Sequence, residues 1–508
     1  DESNEYYYLV IYQAVRLVGL LHDIGHPPFS HITEGALNKL YKSIKSKEHL
    51  TKREEKFIGI LEKYYVSDIQ LHENIGNQMV KWIFRTYMRE NYKEEFKEKK
   101  FYALVFNAVE CILLEENNTW ESLHRIIDNS IDSDRLDYVS RDLLNSGINQ
   151  GTIEYSRLIP SMKILLKEDI FVLSADLKTL GTIEDFFTKR WYLYNNIIFH
   201  HRVIKTDSLL EECIIGIAED YLLREDDEVQ NNSTSTLPYN ISGLWHALDT
   251  TEGSDLKKFD LLIQWNDSWL MTILKKHYFD EYQTLENSKS EEKNSEKLLL
   301  RNKLEELLAN KKYFHSMVKT YSEIEYLDSC ILYRLKTKYI TEDDIIKHIT
   351  ENSFLEQEDS LWESIKDKAE NNLFLTKIDS YLKVVNGIDV MSKVLEWTKK
   401  FFENKKNEDQ IRDYMLKTKR VKPGVSPEPV LYKDGITIKL SEVSKIEDNI
   451  LRNITMFPFM NIYIDSNNNN IDKKDILKEL GNFLADKIDD TFLNNKGDYY
   501  EQESANRQ

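Results

Sequence analysis

Between positions 8 and 21 the chain is almost continuously apolar, with Leu9, Val10, Ile11, Ala14, Val15, Leu17, Val18, Leu20 and Leu21. A run of this length with no proline reads as a buried helix. It stops at Gly25 and Pro27-Pro28, which cannot continue it. His22 and His26 lie four apart and share a face if the last turn stays helical. A second helix is expected from about His31. Ser67-Asp68 precede a third, with Ile69, His72, Ile75, Met79, Val80 and Ile83 on helical spacing, and either residue suits its cap. The same periodicity predicts helices at about 101–115, 120–130, 134–146, 183–221, 242–250 and 255–284.

Two polar stretches, Arg224 to Thr236 and Leu285 to Lys297, read as exposed loops, the second marking a subdomain boundary. Helical periodicity resumes from Leu298 to about Leu416, and then the texture changes. Lys422-Pro423-Gly424 and Pro427 break the pattern. Val430-Leu431-Tyr432, Asp434-Gly435 and Ile436-Thr437-Ile438 read as a β-hairpin. Met460 to Ile464 reads as another strand, Ser466 to Asn470 as a loop, and one last helix precedes a polar tail. No internal repeat is seen. With only 8 Pro and 16 Gly in 508 residues, the expected fold is mainly α. Three segments are expected: a helical core at 1–222, a helical extension with exposed loops at 223–416, and a small α+β lobe and tail at 417–508.

Composition narrows the function. With 41% hydrophobic and 31% charged residues the chain has ample core and a soluble profile. No segment approaches the ~18 unbroken apolar residues of a membrane span, and none reads as a signal peptide. Cys111, Cys213 and Cys330 are few, distant and odd in number, which argues against a disulfide framework and for the cytoplasm. The net charge of −19 disfavours wrapping a nucleic-acid polymer, which takes a basic face, and tilts the reading toward small phosphorylated substrates. A local basic cluster does exist at Lys417, Lys419, Arg420 and Lys422.

The candidate chemistry begins where the first helix ends. His22-Asp23-Ile24-Gly25-His26-Pro27-Pro28-Phe29-Ser30-His31 places three imidazoles and a carboxylate within one short stretch. Adjacent His22 and Asp23 offer a divalent cation one nitrogen and one hard oxygen. Histidines capping a helix C-terminus would explain one or two of them, not the whole cluster. Further along, Asp134, Tyr138 and Asp142 form one stripe of a helix whose Leu136, Val139 and Leu143 face the core. A solvated acidic face is the plain alternative for that stripe. A tyrosine between two carboxylates is less typical of one.

Residues 20–31, with the second stretch Asp132 to Asp142, resemble the HD-domain phosphohydrolases. The likeness is greatest to the branch of bacterial dGTP triphosphohydrolases and the vertebrate SAM-and-HD-domain dNTP triphosphohydrolase. His72-Glu73 and the aromatic-rich Trp191 to Arg202 segment fall in the expected order, so the resemblance covers about residues 8–215. It implies an HD-domain core and metal ligation by His22, Asp23 and Asp134. It implies that His26, His31 and His72 line the phosphate end, with His72 as the acid and Glu34 orienting His31. Tyr138 would pack on the sugar and Asp142 would accept from its 3′-hydroxyl. His201 and Lys205 are weaker candidates for phosphate contacts.

One feature departs from that pattern. The family takes a further metal ligand from an upstream histidine, and no histidine precedes His22 in a chain that opens at Asp1. The expectation is that a segment preceding Asp1 supplies it; the other reading is that this protein lacks it. The leading function is metal-dependent hydrolysis of (deoxy)nucleoside triphosphates to nucleoside and triphosphate by a metal-activated water. The alternatives are an HD phosphodiesterase or nuclease on cyclic nucleotides or single-stranded ends, and a catalytically silent nucleotide-binding scaffold. The cofactor expected is one divalent ion, with Mg, Mn, Fe and Zn all compatible with a His/Asp site. A nucleotide substrate and a homo-oligomer follow from the resemblance. An allosteric nucleotide is left open, and polymeric nucleic acid and membrane are not favoured as partners.

Overall fold

The computed structural model describes residues 2–65, 70–91, 96–115, 117–148, 151–167, 170–224, 236–249, 259–284, 292–352, 373–418, 424–425, 427–454, 459–466 and 472–493. The chain divides into two compact units, Asp1–Lys311 with Pro423–Ile450, and Lys312–Lys422 with Leu451–Gln508. The strands among the described residues are β1 (Met162–Lys167), β2 (Ile170–Asp176), β3 (His315–Val318), β4 (Ile411–Thr418), β5 (Val430–Lys433), β6 (Ile436–Lys439) and β7 (Met460–Ser466). Helices dominate both units, so the mainly α expectation with small β elements holds.

The first unit begins with α1 (Glu2–Leu21), α2 (His31–Lys45), α3 (Lys52–Leu61), α4 (Leu71–Asn91) and α5 (Phe96–Leu113). It continues with α6 (Asn118–His124), α7 (Ser133–Asn145), α8 (Tyr155–Leu158), α9 (Leu180–Leu193) and α10 (His201–Leu222), then α11 (Gly243–His246), α12 (Asp267–His277) and α13 (Glu292–Ala309). In α1 the buried residues Val10, Ala14, Val18 and Leu21 recur every three or four positions and meet Val105, Val109 and Ile112 of α5. A larger core joins Leu37, Leu40 and Ile44 of α2 to Phe57 and Ile60 of α3 and Ile214 and Ile217 of α10. Trp245 closes it, edge-on to Phe57 at 5.0 Å.

The helix expected over 183–221 is two helices. A π-helical turn, Tyr194–Ile198, ends α9, and His200 caps α10 by accepting the Arg202 N–H at 3.4 Å. The Asn196 side-chain amide donates to the Tyr192 carbonyl at 2.9 Å, competing with the backbone ladder where the helix opens. The segments at 242–250 and 255–284 are likewise broken up, into α11, a 3-10 turn at Phe259–Gln264, and α12 continued by a π-helical turn at Tyr278–Tyr282.

The expected hairpin is present as β5–β6, with positive φ at Asp434 (50°) and Gly435 (88°), as the tight primed turn requires. It does not belong with a C-terminal lobe. β5 pairs in parallel with β2, Ser174 opposite Val430, giving a sheet of order β1-β2-β5-β6 in the first unit. The two compact units therefore cut the chain elsewhere than at 222 and 416, because strand pairing carries residues 423–450 back to the N-terminal segment. The β1–β2 hairpin has no counterpart in the sequence reading. Its Met-Lys-Ile-Leu-Leu-Lys run alternates too weakly to signal a strand.

The second unit has a sheet of order β3-β7-β4, with helices Tyr321–Lys336 and Lys473–Ile488 packing through Leu327, Ile331, Leu480 and Leu484. The strand expected at Met460 to Ile464 is β7, buried along nearly its whole length. The helical periodicity expected to about Leu416 ends earlier. Ile411, Asp413 and Met415 are buried in β4 while Arg412 and Tyr414 are not, a period of two that pairing with β7 selects. Ser67-Asp68, most of the loops expected at 224–236 and 466–470, residues 285–291, and Lys419, Arg420 and Lys422 lie outside the described residues; the rest of the loop expected at 285–297 is helical, since α13 begins at Glu292. Among the described residues no helix is long and apolar enough to cross a membrane.

α12 matters to the site because Asp267, at its start, holds the loop before α2. Its other end is fixed by His277, whose Nδ1 lies 3.0 Å from Glu281 Oε1. That hydrogen bond, opposed by burial and helped by Arg224, pulls the Glu281 carboxyl down to about 2 from 4.5. A folded-state value below the unfolded one gives stability that is present above pH 4.5 and lost as pH falls toward about 2. Glu281→Gln is therefore expected to lower the melting temperature at pH 7. Thermal melts across pH should show the gap to wild type closing in that acid window.

Candidate metal and phosphate site

The His22 N–H still bonds the Val18 carbonyl at 2.9 Å, the last helical bond of α1. Next come two tighter bonds, Ile24 N–H to Leu21 O at 3.2 Å and His26 N–H to Asp23 O at 3.1 Å. The last turn is thus not α-helical, and His22 and His26 do not share a helical face. Gly25 makes the tightening possible. A Cβ there would lie 2.1 Å from the His72 carbonyl and 2.3 Å from the Gly76 nitrogen, so backbone rests directly on α4.

The chain then runs through Phe29 and Ser30, both with positive φ (57° and 49°), a conformation costing about 1–3 kcal/mol per non-glycine residue. Two side-chain bonds help to hold it: Phe29 N–H to Asp267 Oδ1 at 2.8 Å, and the Thr33 hydroxyl to the Pro28 carbonyl. The strained loop delivers His31 to the first turn of α2.

Two clusters result. In the first, His22, Asp23 and Asp134 each place a ligand atom within 4.8 Å of the others. The Gly19 carbonyl, which only accepts, lies 3.2 Å from His22 Nδ1. The ring proton therefore sits on Nδ1 and the Nε2 lone pair is left for a cation. Nε2 is 3.4 Å from Asp23 Oδ2. Burial pushes the Asp134 carboxyl up, partly offset by His22. Its neighbour Asp132 instead caps α7, accepting from the Arg135 N–H at 2.6 Å and the Asn129 N–H at 2.7 Å. Burial takes Asp132 up to about 6. One imidazole in the right tautomer and two carboxylates suit a divalent cation.

The second cluster is His26, His31, Glu34 and His72. Glu34 is buried and faces two of the rings, with its Oε2 3.1 Å from His31 Nδ1 and 3.0 Å from His72 Nδ1. Burial raises the Glu34 carboxyl, but the hydrogen bonds from His31 and His72 outweigh it and hold the group well below the usual range. The Glu34 hydrogen bond in turn raises His31. The His26 and His72 rings stack at 4.0 Å, and His31 stands edge-on to both. Asp23 joins the clusters: one oxygen faces His22, and the other lies 3.4 Å from His26 Nε2. The His26 bond lowers the Asp23 carboxyl. His26 Nδ1 is buried with no hydrogen-bond partner among the described residues.

Asp134, Tyr138 and Asp142 do lie along α7, with Leu136, Val139 and Leu143 buried on its other side. The Tyr138 hydroxyl is 3.3 Å from that of Tyr194, whose ring lies 4.5 Å under the Arg190 guanidinium. Burial, then Tyr194, pushes the Tyr138 phenol up. Asp142 is half exposed, with Arg141 Nε at 3.8 Å. His201 opens α10, its ring 4.4 Å from that of His200. Lys205 is committed to an ion pair with buried Glu306 of α13. Sequence reasoning missed the double role of Asp23, the contact of Glu34 with His72, and the Arg190–Tyr194 pair. Only the last had a signal, since Arg190 immediately precedes the aromatic-rich segment.

No family model matches the chain. It is 26% identical over 196 residues to an uncharacterized protein of Mycoplasma pneumoniae, covering 38% of this chain and 39% of that protein. It is 28% identical over 202 residues to the deoxynucleoside triphosphate triphosphohydrolase SAMHD1 of Gallus gallus, covering 37% and 30%. It is 29% identical over 165 residues to a deoxyguanosinetriphosphate triphosphohydrolase-like protein of Clostridium tetani, covering 30% and 46%. The matches thus span less than half the length of each of these relatives.

Two substitutions separate fold from site. Asp134→Asn is expected to leave the melting temperature nearly unchanged and weaken Mn²⁺ binding by at least the roughly 10–100-fold that outer-shell changes cost. Asp132→Ala should instead cost about 1 kcal/mol through the cap. Calorimetric titration with Mn²⁺ beside thermal melts checks both. Gly25→Ala should lose both properties, with about 1–3 kcal/mol of overpacking.

Proposed function

We propose that the chain, related at low identity to HD-domain dNTP triphosphohydrolases, is an HD-superfamily hydrolase of (deoxy)nucleoside triphosphates. In this reading it releases nucleoside and inorganic triphosphate. The observation that carries the reading is the convergence of His22, Asp23 and Asp134 beside a histidine cluster anchored on one buried carboxylate. A divalent cation held by His22, Asp23 and Asp134 would polarise the α-phosphate and bring a bound water's pKa from 15.7 toward about 7.

The chain's own groups divide the proton work. Glu34 holds His31 and His72 by Nδ1, so that Nε2 is the working atom of each ring. The attacking water's proton passes to the hydrogen-bonded His26–Asp23 pair as the new P–O bond forms. His72 gives its Nε2 proton to the 5′ oxygen as the bond from that oxygen to the α-phosphorus breaks. The Glu34 carboxylate, held well below its usual range by the hydrogen bonds from His31 and His72, fixes the ring in place for that donation. His31, more exposed and raised by Glu34, faces the phosphates. Tyr138 packs on the sugar and Asp142 accepts from its 3′-hydroxyl. His201 faces the outer phosphates, while Lys205 stays paired with Glu306 beside them.

The test is incubation of purified protein with each dNTP and NTP and Mn²⁺ or Mg²⁺, followed by chromatography of released nucleoside. Asp134→Asn and His72→Gln are expected to reduce turnover at least ~100-fold, the scale of general acid–base catalysis. Tyr138→Ala should mainly erode discrimination between deoxyribose and ribose. Wild-type rates in Asp134→Asn would refute the site assignment.

A further inference from the structure

Among the described residues the first unit's sheet has an unprotected side. In the order β1-β2-β5-β6, β1 is an edge strand, so every second backbone amide and carbonyl of Met162–Lys167 points away from β2. The strand carries apolar side chains in the open: Ile164 is 47% and Leu166 65% exposed. A cavity of about 1050 Å³ adjoins it, walled by Leu136 and Leu143 of α7 and by Met162, Ile164 and Leu173. At its margin Leu144 is 79% and Ile159 55% exposed. The polar groups of this wall are already used. Tyr155 donates to the Leu136 carbonyl and shares a bond with Ser140, and Arg141 pairs with Asp137. Such a wall suits an apolar partner, and the open edge suits one that brings a strand.

We propose that β1 is the contact by which two copies of this chain pair, edge to edge and antiparallel, centred on Ile164. The strand's own sequence selects this occupant. With the two-fold axis at Ile164, that residue faces its copy, Met162 faces Leu166, and Lys163 faces Leu165. No two charges oppose each other in that register. A register centred one residue earlier would set Lys163 against its own copy and is disfavoured. The added strand prolongs the apolar sheet face bordering the cavity, and Leu144 and Ile159 widen the buried patch. The proposal does not depend on the chemistry assigned to the metal site.

Light scattering after size-exclusion chromatography tests it on the full chain. Wild type is expected to run as a dimer, and Ile164→Lys and Leu166→Glu as monomers with unchanged circular dichroism and melting temperature. For Ile164→Lys the dimer dissociation constant should rise roughly 10-fold or more, since like charges then meet at the axis. Directly opposed antiparallel positions lie about 4.5–5.5 Å apart at Cα, within disulfide reach. Ile164→Cys should therefore cross-link to its copy on oxidation, and Leu165→Cys, which faces Lys163, should not. Should Ile164→Lys fail to fold, Leu166→Glu and the cross-linking pair still decide. A monomeric wild type, an oligomer whose mass survives both charge variants, open-ended aggregates, or equal cross-linking at 164 and 165 would each overturn the proposal.

Discussion

Contact between two backbones, at Gly25 and at His72 and Gly76 of α4, governs the geometry of the site. No side chain fits between them, since a Cβ on Gly25 would sit 2.1 Å from a carbonyl oxygen. That approach bends the end of α1 out of helical geometry and points His22 and His26 into different clusters. It also fixes the distance from the turn to His72, so that the His26 and His72 rings stack. The rest of the site is set out around this junction. The strained Phe29–Ser30 loop is tolerated because Asp267 and Thr33 hold it from both sides.

Two carboxylates then organise the imidazoles. Glu34 is buried, and a buried carboxylate survives ionised only with donors around it. His31 and His72 are those donors, and in satisfying Glu34 they are oriented by it. Asp23 is more exposed and spans the two clusters, one oxygen toward each. The two clusters are thereby joined through a single side chain. A change at Asp23 cannot disturb one without the other.

In the first unit a helical scaffold with one small sheet supports this arrangement, and the sheet is where the chain closes on itself. Residues 423–450 return to the first unit as β5 and β6 against β2. The return leaves β1 and β6 as the sheet's two outer strands, β1 with its apolar face in the open. The same pairing that completes the unit leaves it an edge to offer.

The helical character, the end of the first helix, the β5–β6 hairpin and the identity of most of the clustered residues were legible in the sequence. These rest on local physics: apolar spacing along α1, proline and glycine at its end, an Asp-Gly turn, and ligand-type residues crowded together. Asp134 was legible as one of a stripe, because an i, i+4, i+8 pattern needs only a helix. What local pattern does not contain was settled by long-range packing. β4 and the β1–β2 hairpin exist because partner strands complete their hydrogen bonds, and short, weakly alternating runs do not announce those partners. The split of His22 from His26 depended on a helix that the first one meets only after folding. The commitment of Lys205 to Glu306 depended on α13, about a hundred residues away in sequence. Spacing tells which residues share a face; only packing tells what that face meets.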